Sequence, residues 1–70
     1  MDQMFLDVGN LHLVVKEKVA QSNVGDVIEL VYDSDTGLMR FPNPDRPEKT
    51  VRIALSPQHI EHANDLVSAG

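Results

Sequence analysis

Among the side chains able to bind a metal or move a proton, this chain offers three histidines and eleven carboxylates, and no cysteine. His59 and His62 stand three residues apart with Glu61 and Asp65 close by. Neighbouring turns of a helix could bring His62 and Asp65 together on a divalent cation. A metal centre, however, needs three or four convergent ligands with ordered groups behind them, and no further histidine lies near. His59 falls toward the apolar stripe of its segment and His62 away from it. The pair therefore reads as one histidine at a rim and one in solvent, and no metal or cofactor is expected.

Two other stretches have the outline of binding motifs. Asp33-Ser34-Asp35-Thr36-Gly37 resembles the opening of a calcium loop, but that loop wants glycine at its sixth position and a bidentate glutamate at its twelfth. Here glycine comes fifth, Pro44 stands at the twelfth position, and the flanks are strand-like. The segment is expected to be a hairpin turn. Pro44-Asp45-Arg46-Pro47-Glu48-Lys49 fits a PxxP core followed by a basic residue, the pattern that SH3-type grooves read. Inside a small domain it is better explained as a rigid turn between strands. For catalysis there is no HExxH, no glycine-rich phosphate loop and no GxSxG. Seventy residues leave little room for a walled pocket, so no enzyme is expected.

The charge balance says more about partners than about chemistry. Eleven Asp and Glu oppose six Lys and Arg, a formal charge of −5. No basic cluster is denser than Lys16-Glu17-Lys18, so direct binding to nucleic acid is disfavoured. An acidic surface favours basic partners, including sites that otherwise hold nucleic acid. The candidate contacts are Glu29, Asp33, Asp35, Asp45 and Glu48, with Arg40 among them, around the end of a hairpin and a proline-rich loop. No basic start or long apolar run marks a secretory leader or a membrane span, and the working assumption is a cytoplasmic protein.

That hairpin is the clearest local instruction in the chain. Residues 27–32 and 38–41 are rich in β-branched, aromatic and large apolar side chains, and Gly37 supplies the positive φ of a tight turn. With Asp35 and Thr36 central, Asp33 faces Leu38, Tyr32 faces Met39 and Leu30 faces Phe41. This register gathers Ile28, Leu30, Tyr32, Met39 and Phe41 on one face and leaves Glu29, Val31 and Arg40 on the other, with Glu29 and Arg40 at a favourable diagonal.

The remaining elements follow from periodicity. Met4, Leu6 and Val8 alternate as a short strand ended by Gly9-Asn10. Residues 11–19 fit both periods: Leu11, Leu13 and Val15 alternate, while Leu11, Val14, Val15, Lys18 and Val19 match a helix with Asn10 as its N-cap. Strand is the reading adopted. Three prolines in residues 42–47 make a stiff surface loop. Val51, Ile53 and Leu55 face one way in a strand over about residues 50–55. Ser56-Pro57 opens a helix over about 57–68, with Ile60, Ala63, Leu66 and Val67 as its apolar stripe.

The expected fold is α+β and β-rich. It is a small antiparallel sheet or half-barrel of four or five short strands, at about 4–8, 11–19, 27–33, 38–41 and 50–55, with one C-terminal helix in a single domain. If residues 11–19 are helical, the same chain makes a three- or four-stranded sheet with two helices. Size alone makes a homodimer a reasonable expectation.

Gly9-Asn10-Leu11-His12-Leu13, then Lys16-Glu17-Lys18-Val19 and Gly25-Asp26-Val27-Ile28-Glu29-Leu30, resembles the swapped-hairpin domain of bacterial AbrB- and MazE-type regulators. The likeness covers residues 9–41. Val14 stands where that family has proline, Asn10 where a basic residue is common, and the spacing to Gly25-Asp26 is short. The resemblance implies an intertwined dimer with a DNA-binding or antitoxin role.

The functional expectation is a small acidic protein-binding or regulatory module without catalysis. Its sharpest form is an inhibitor or modulator of a nucleic-acid-handling enzyme, docked on a larger protein with a basic surface. The alternatives are the swapped-hairpin regulator and a small subunit whose exposed Phe5 and Val14 fill a gap in a larger assembly.

Overall fold

A computed structural model describes residues 6–69 of the chain. Its elements in order are a 3-10 turn at Val8–Asn10, helix α1 (Leu13–Gln21), strands β1 (Val27–Asp33), β2 (Leu38–Arg40) and β3 (Val51–Ala54), and helix α2 (Pro57–Ala69). The three strands form one antiparallel sheet in the order β2-β1-β3. The class is α+β, with two helices and three strands among the described residues. It is an open sheet, not a half-barrel of four or five strands followed by one helix.

The hairpin takes the register its residues demand: Tyr32 pairs with Met39, and Asp33 with Leu38. Gly37 adopts a φ of 75°, and its N–H donates to the Asp33 carbonyl at 2.8 Å. β1 is the central strand, and its far edge pairs with β3, Ile28 opposite Ile53 and Leu30 opposite Val51. Below that ladder sits a bulge. Gly25, at φ 92°, donates to the Leu55 carbonyl at 2.9 Å, while Leu55 N–H donates to Asp26 at 2.8 Å. Two residues thus oppose one, and the glycine's left-handed conformation is what this kind of bulge requires.

Ile28, Leu30, Ile53 and Leu55 project into one core with Leu6, Val8, Leu11, Val15, Val19 and Ala63. Met39, Phe41, Val51, Ile60 and Leu66 pack around it half-buried. Removing Leu11, Leu30 and Leu55 from water contributes about 1.5–3 kcal/mol each in gross transfer free energy, before entropy is subtracted. Tyr32 departs from the expected inward set. It lies on the same strand as Leu30, but at the end of the sheet, where it remains 59% exposed.

Within residues 11–19 the chain is helical from Leu13 onward, with Leu11 and His12 preceding the helix. Leu11 forms a single parallel bridge to Met39 beyond β2, and His12 N–H donates to the Met39 carbonyl at 2.9 Å. The chain then coils because Val15 and Val19, four apart, both bury completely once α1 docks beside α2. The cost of two β-branched residues in a helix is about half a kcal/mol each, several-fold below the roughly 1.5–3 kcal/mol that burying each contributes. The N-cap position is His12, not Asn10, and no side chain caps it. Ser22 closes the helix: its Oγ donates to the Lys18 carbonyl at 2.7 Å and its N–H to Val19 at 3.1 Å.

The expected strand at residues 4–8 is not found where the chain is described. Leu6 and Val8 are buried, Val8 inside the 3-10 turn, and Met4 and Phe5 lie outside the described residues. α2 forms as Ser56-Pro57 dictates, with Ala63 fully buried at the contact with α1 and Val67 half-buried. Asn64 ties the two helices together, its Nδ2 donating to the Ala20 carbonyl at 3.2 Å and to Ile60 at 2.9 Å. No helix among the described residues is long and apolar enough to cross a membrane.

Candidate functional site: the hairpin end and the proline loop

The candidate contact residues fall into two groups that the sequence did not separate. Arg40 is the hub of the first. Its Nη1 donates to Glu48 Oε1 and to the Phe41 carbonyl, both at 3.1 Å, and its Nη2 bonds to Glu48 Oε2. Its Nε lies 3.6 Å from Asp33 Oδ2. Glu48 also accepts from Asn43 N–H at 2.7 Å, and Arg46 approaches it at 4.0 Å. A fork-to-fork pair of this kind is both strong and directional. It staples the end of the proline loop to the strand that precedes it.

The Arg40 hydrogen bond, helped by the Asn43 N–H, lowers the Glu48 carboxyl from 4.5 to about 2. The same bond raises Arg40 further above its ordinary value. Val31, directly opposite Arg40 on the face away from the main core, is 8% exposed. The expected Glu29–Arg40 diagonal does not form. Glu29 pairs with Arg52 across β1 and β3 at 3.4 Å, the residue that faces it in the ladder.

The second group is Asp35 and Asp45. Both are exposed, and neither forms an ion pair with a described residue. Each sits on a turn shaped by the acid or amide two residues earlier. Asp35 N–H donates to Asp33 Oδ1 at 3.0 Å, and Asp45 N–H donates to Asn43 Oδ1 at 2.9 Å. These local bonds set the turn backbone in place of a regular ladder. The PxxP segment is consequently bent: Pro44 and Asp45 occupy a turn closed from Arg46 N–H to the Asn43 carbonyl at 3.4 Å. It is not the extended polyproline helix an SH3-type groove reads.

The histidines stand elsewhere. His59 is half-buried and takes part in a reciprocal cap at the start of α2. Ser56 N–H donates to His59 Nδ1 at 3.2 Å, and His59 N–H donates to Ser56 Oγ at 3.3 Å. This is capping-box geometry with histidine in the place of glutamate. His62 is exposed. Both border a shallow cleft of about 200 Å³ with Leu6, Asp7, Val8 and Gln58. The Asp7 carboxylate is occupied by Gly9 N–H at 2.9 Å and Asn10 Nδ2 at 3.2 Å. No group of three metal-ligating side chains occurs among the described residues, at this cleft or at the Asp33–Asp35 turn.

Sequence reasoning missed Asn43, Arg46 and Arg52 as partners of the acids. Arg52 carried a usable signal, since a strand pairing β1 antiparallel places it near Glu29. Asn43 carried a weaker one, as the amide residue that starts a turn at Pro44-Asp45. No protein-family model matches this chain, and neither curated proteins nor solved structures show significant similarity to it.

Proposed function

We propose that this protein is a binding or regulatory module without catalysis, which docks the acidic hairpin end and proline loop on a basic surface of a larger protein. The observation that carries the reading is the division of labour among the acids. Asp33 and Glu48 hold Arg40 and shape the loops, while Asp35 and Asp45 are presented on turns already ordered by Asp33 and Asn43. A surface ordered before binding loses less conformational entropy on association. Carboxylates held this way favour a partner with a basic channel, and a modulator of a nucleic-acid-handling enzyme is the sharpest form of the reading. Arg40 acts as the clamp. Glu29, paired with Arg52, contributes less than the two free acids.

The test is capture from the native host on immobilised wild-type protein and on a double charge reversal, D35K/D45K. A partner that elutes with rising salt and is lost by the variant supports the reading. A partner retained equally by both proteins, at every ionic strength, overturns it.

One observation favours a second reading. Helix α1, the Gly25-Asp26 bulge and then the hairpin follow one another in the order that the likeness to AbrB- and MazE-type regulators implies. That reading needs a sequence-specific gel shift that depends on Lys16 and Lys18. Arg40, engaged by Glu48 and Asp33, is a poor phosphate contact. As a third form, the exposed Leu13 and Val14 of α1 would suit a subunit completed by a larger assembly.

A further inference from the structure

The sheet closes one of its edges and leaves the other open among the described residues. Beyond β2, Leu11 forms an isolated parallel bridge to Met39, through the His12 N–H that donates to the Met39 carbonyl. Beyond β3 nothing described pairs with the strand. Leu55 turns both its N–H and its carbonyl toward β1, to Asp26 and Gly25. Antiparallel alternation then turns Ile53 and Val51 the same way, opposite Ile28 and Leu30, and points the backbone groups of Arg52 and Ala54 outward. Both outward residues are exposed. Apart from its short length and one charge, the strand lacks the usual guards: no proline lies within it, and its bulge is on the β1 side. Its one charge, Arg52, is matched by Glu29 at 3.4 Å.

We infer that the β3 edge is an interface for a second copy of this chain, joined antiparallel about a twofold axis at Ile53 to give one six-stranded sheet. In this register Arg52 exchanges both backbone hydrogen bonds with the partner's Ala54, and Ala54 with the partner's Arg52. Ile53 meets its own copy on the core face, and the half-buried Val51 meets the partner's Leu55. On the outer face each arginine lies beside an alanine. Sliding the strands one way sets Arg52 against its own copy, like charges directly opposite. Sliding them the other way sets Arg52 against Ser56, whose N–H is already committed to His59 Nδ1 at 3.2 Å. Charge and hydrogen bonding therefore select one arrangement, and a chain of 70 residues gains core by adopting it. The inference does not depend on the acidic surface finding a partner.

The experiment is sedimentation equilibrium of the full chain over a concentration series, beside A54P. Proline at an outward-facing edge position is compatible with the strand but deletes a donor at the interface. Wild type is expected to be a dimer, and A54P to dissociate about tenfold or more readily, with the same far-ultraviolet circular dichroism. Because the chain lacks cysteine, R52C and A54C give an independent readout. Mildly oxidised together they should form a mixed disulfide, since facing residues fall within disulfide reach, whereas each alone should cross-link poorly. If A54P fails to fold, the cysteine pair decides. A wild-type monomer at every concentration overturns the inference. So does a dimer indifferent to a folded A54P, or R52C cross-linking as readily to itself as to A54C.

Discussion

Leu30 and Tyr32 sit two residues apart on the central strand, with side chains directed to the same side of the sheet, and they should respond very differently to truncation. Leu30 has no exposed surface. It faces Val51 on β3, and one step along the hairpin register places Phe41 beside it, just past the end of β2. Leu30→Ala removes side-chain volume at the middle of the core and leaves a cavity, at a cost of about 2–5 kcal/mol. A chain of 70 residues has a total stability of about 3.5–10 kcal/mol, so this one change removes a large share of it. Tyr32, 59% exposed at the sheet's end, should cost under about 1 kcal/mol on conversion to alanine, mainly through its contact opposite Met39. The assay is urea denaturation followed by circular dichroism. With a slope of roughly 1 kcal/mol/M for a small domain, Leu30→Ala should lower the midpoint by about 2 M or more, and Tyr32→Ala by less than about 1 M. Equal shifts, or a larger one for Tyr32, would refute the argument that the core ends between these residues.

The Glu48 carboxyl, held at about 2 against 4.5 when free, stabilises the fold fully above pH 4.5 and loses that contribution as pH falls toward 2. Wild type should therefore show a stability slope across this window that E48Q lacks, and parallel pH profiles for the two proteins would contradict the Arg40 clamp. Gly37→Ala and Gly25→Ala each place a β-carbon on a left-handed residue and should cost about 1–2 kcal/mol in thermal melts, although nothing crowds either site. Ser56→Ala removes the hydroxyl that accepts from His59 and should cost about 1 kcal/mol, read as lower amide protection in the first turn of α2.

What the sequence made legible was local. The hairpin register followed from Gly37 and strict alternation, and α2 followed from Ser56-Pro57 and its stripe, because in both a turn or cap signal agreed with the apolar period. Residues 11–19 carried two periods at once. Leu13-Val14-Val15 has strand chemistry, but the burial of Val15 and Val19 beside α2 is a tertiary gain invisible in the segment itself. Tyr32 was misplaced for a related reason. Alternation assigns a side but does not say how far along a strand the helices cover it. In the candidate site, the acids were found and their roles were not. Glu48 lies eight residues beyond Arg40 across a proline-rich loop, a separation that no helix or strand pairing rule spans.

The Arg40–Glu48 staple also bears on what the chain can tolerate. Because it fastens Glu48 back to the strand end at Arg40 and Phe41, the stretch from Pro42 to Pro47 is a closed arc whose two feet are already fixed. Lengthening such an arc is cheap, about 0.6 kcal/mol for each doubling of its span. That makes it a natural place to graft a foreign peptide or a fluorophore without disturbing the sheet, provided both feet are kept.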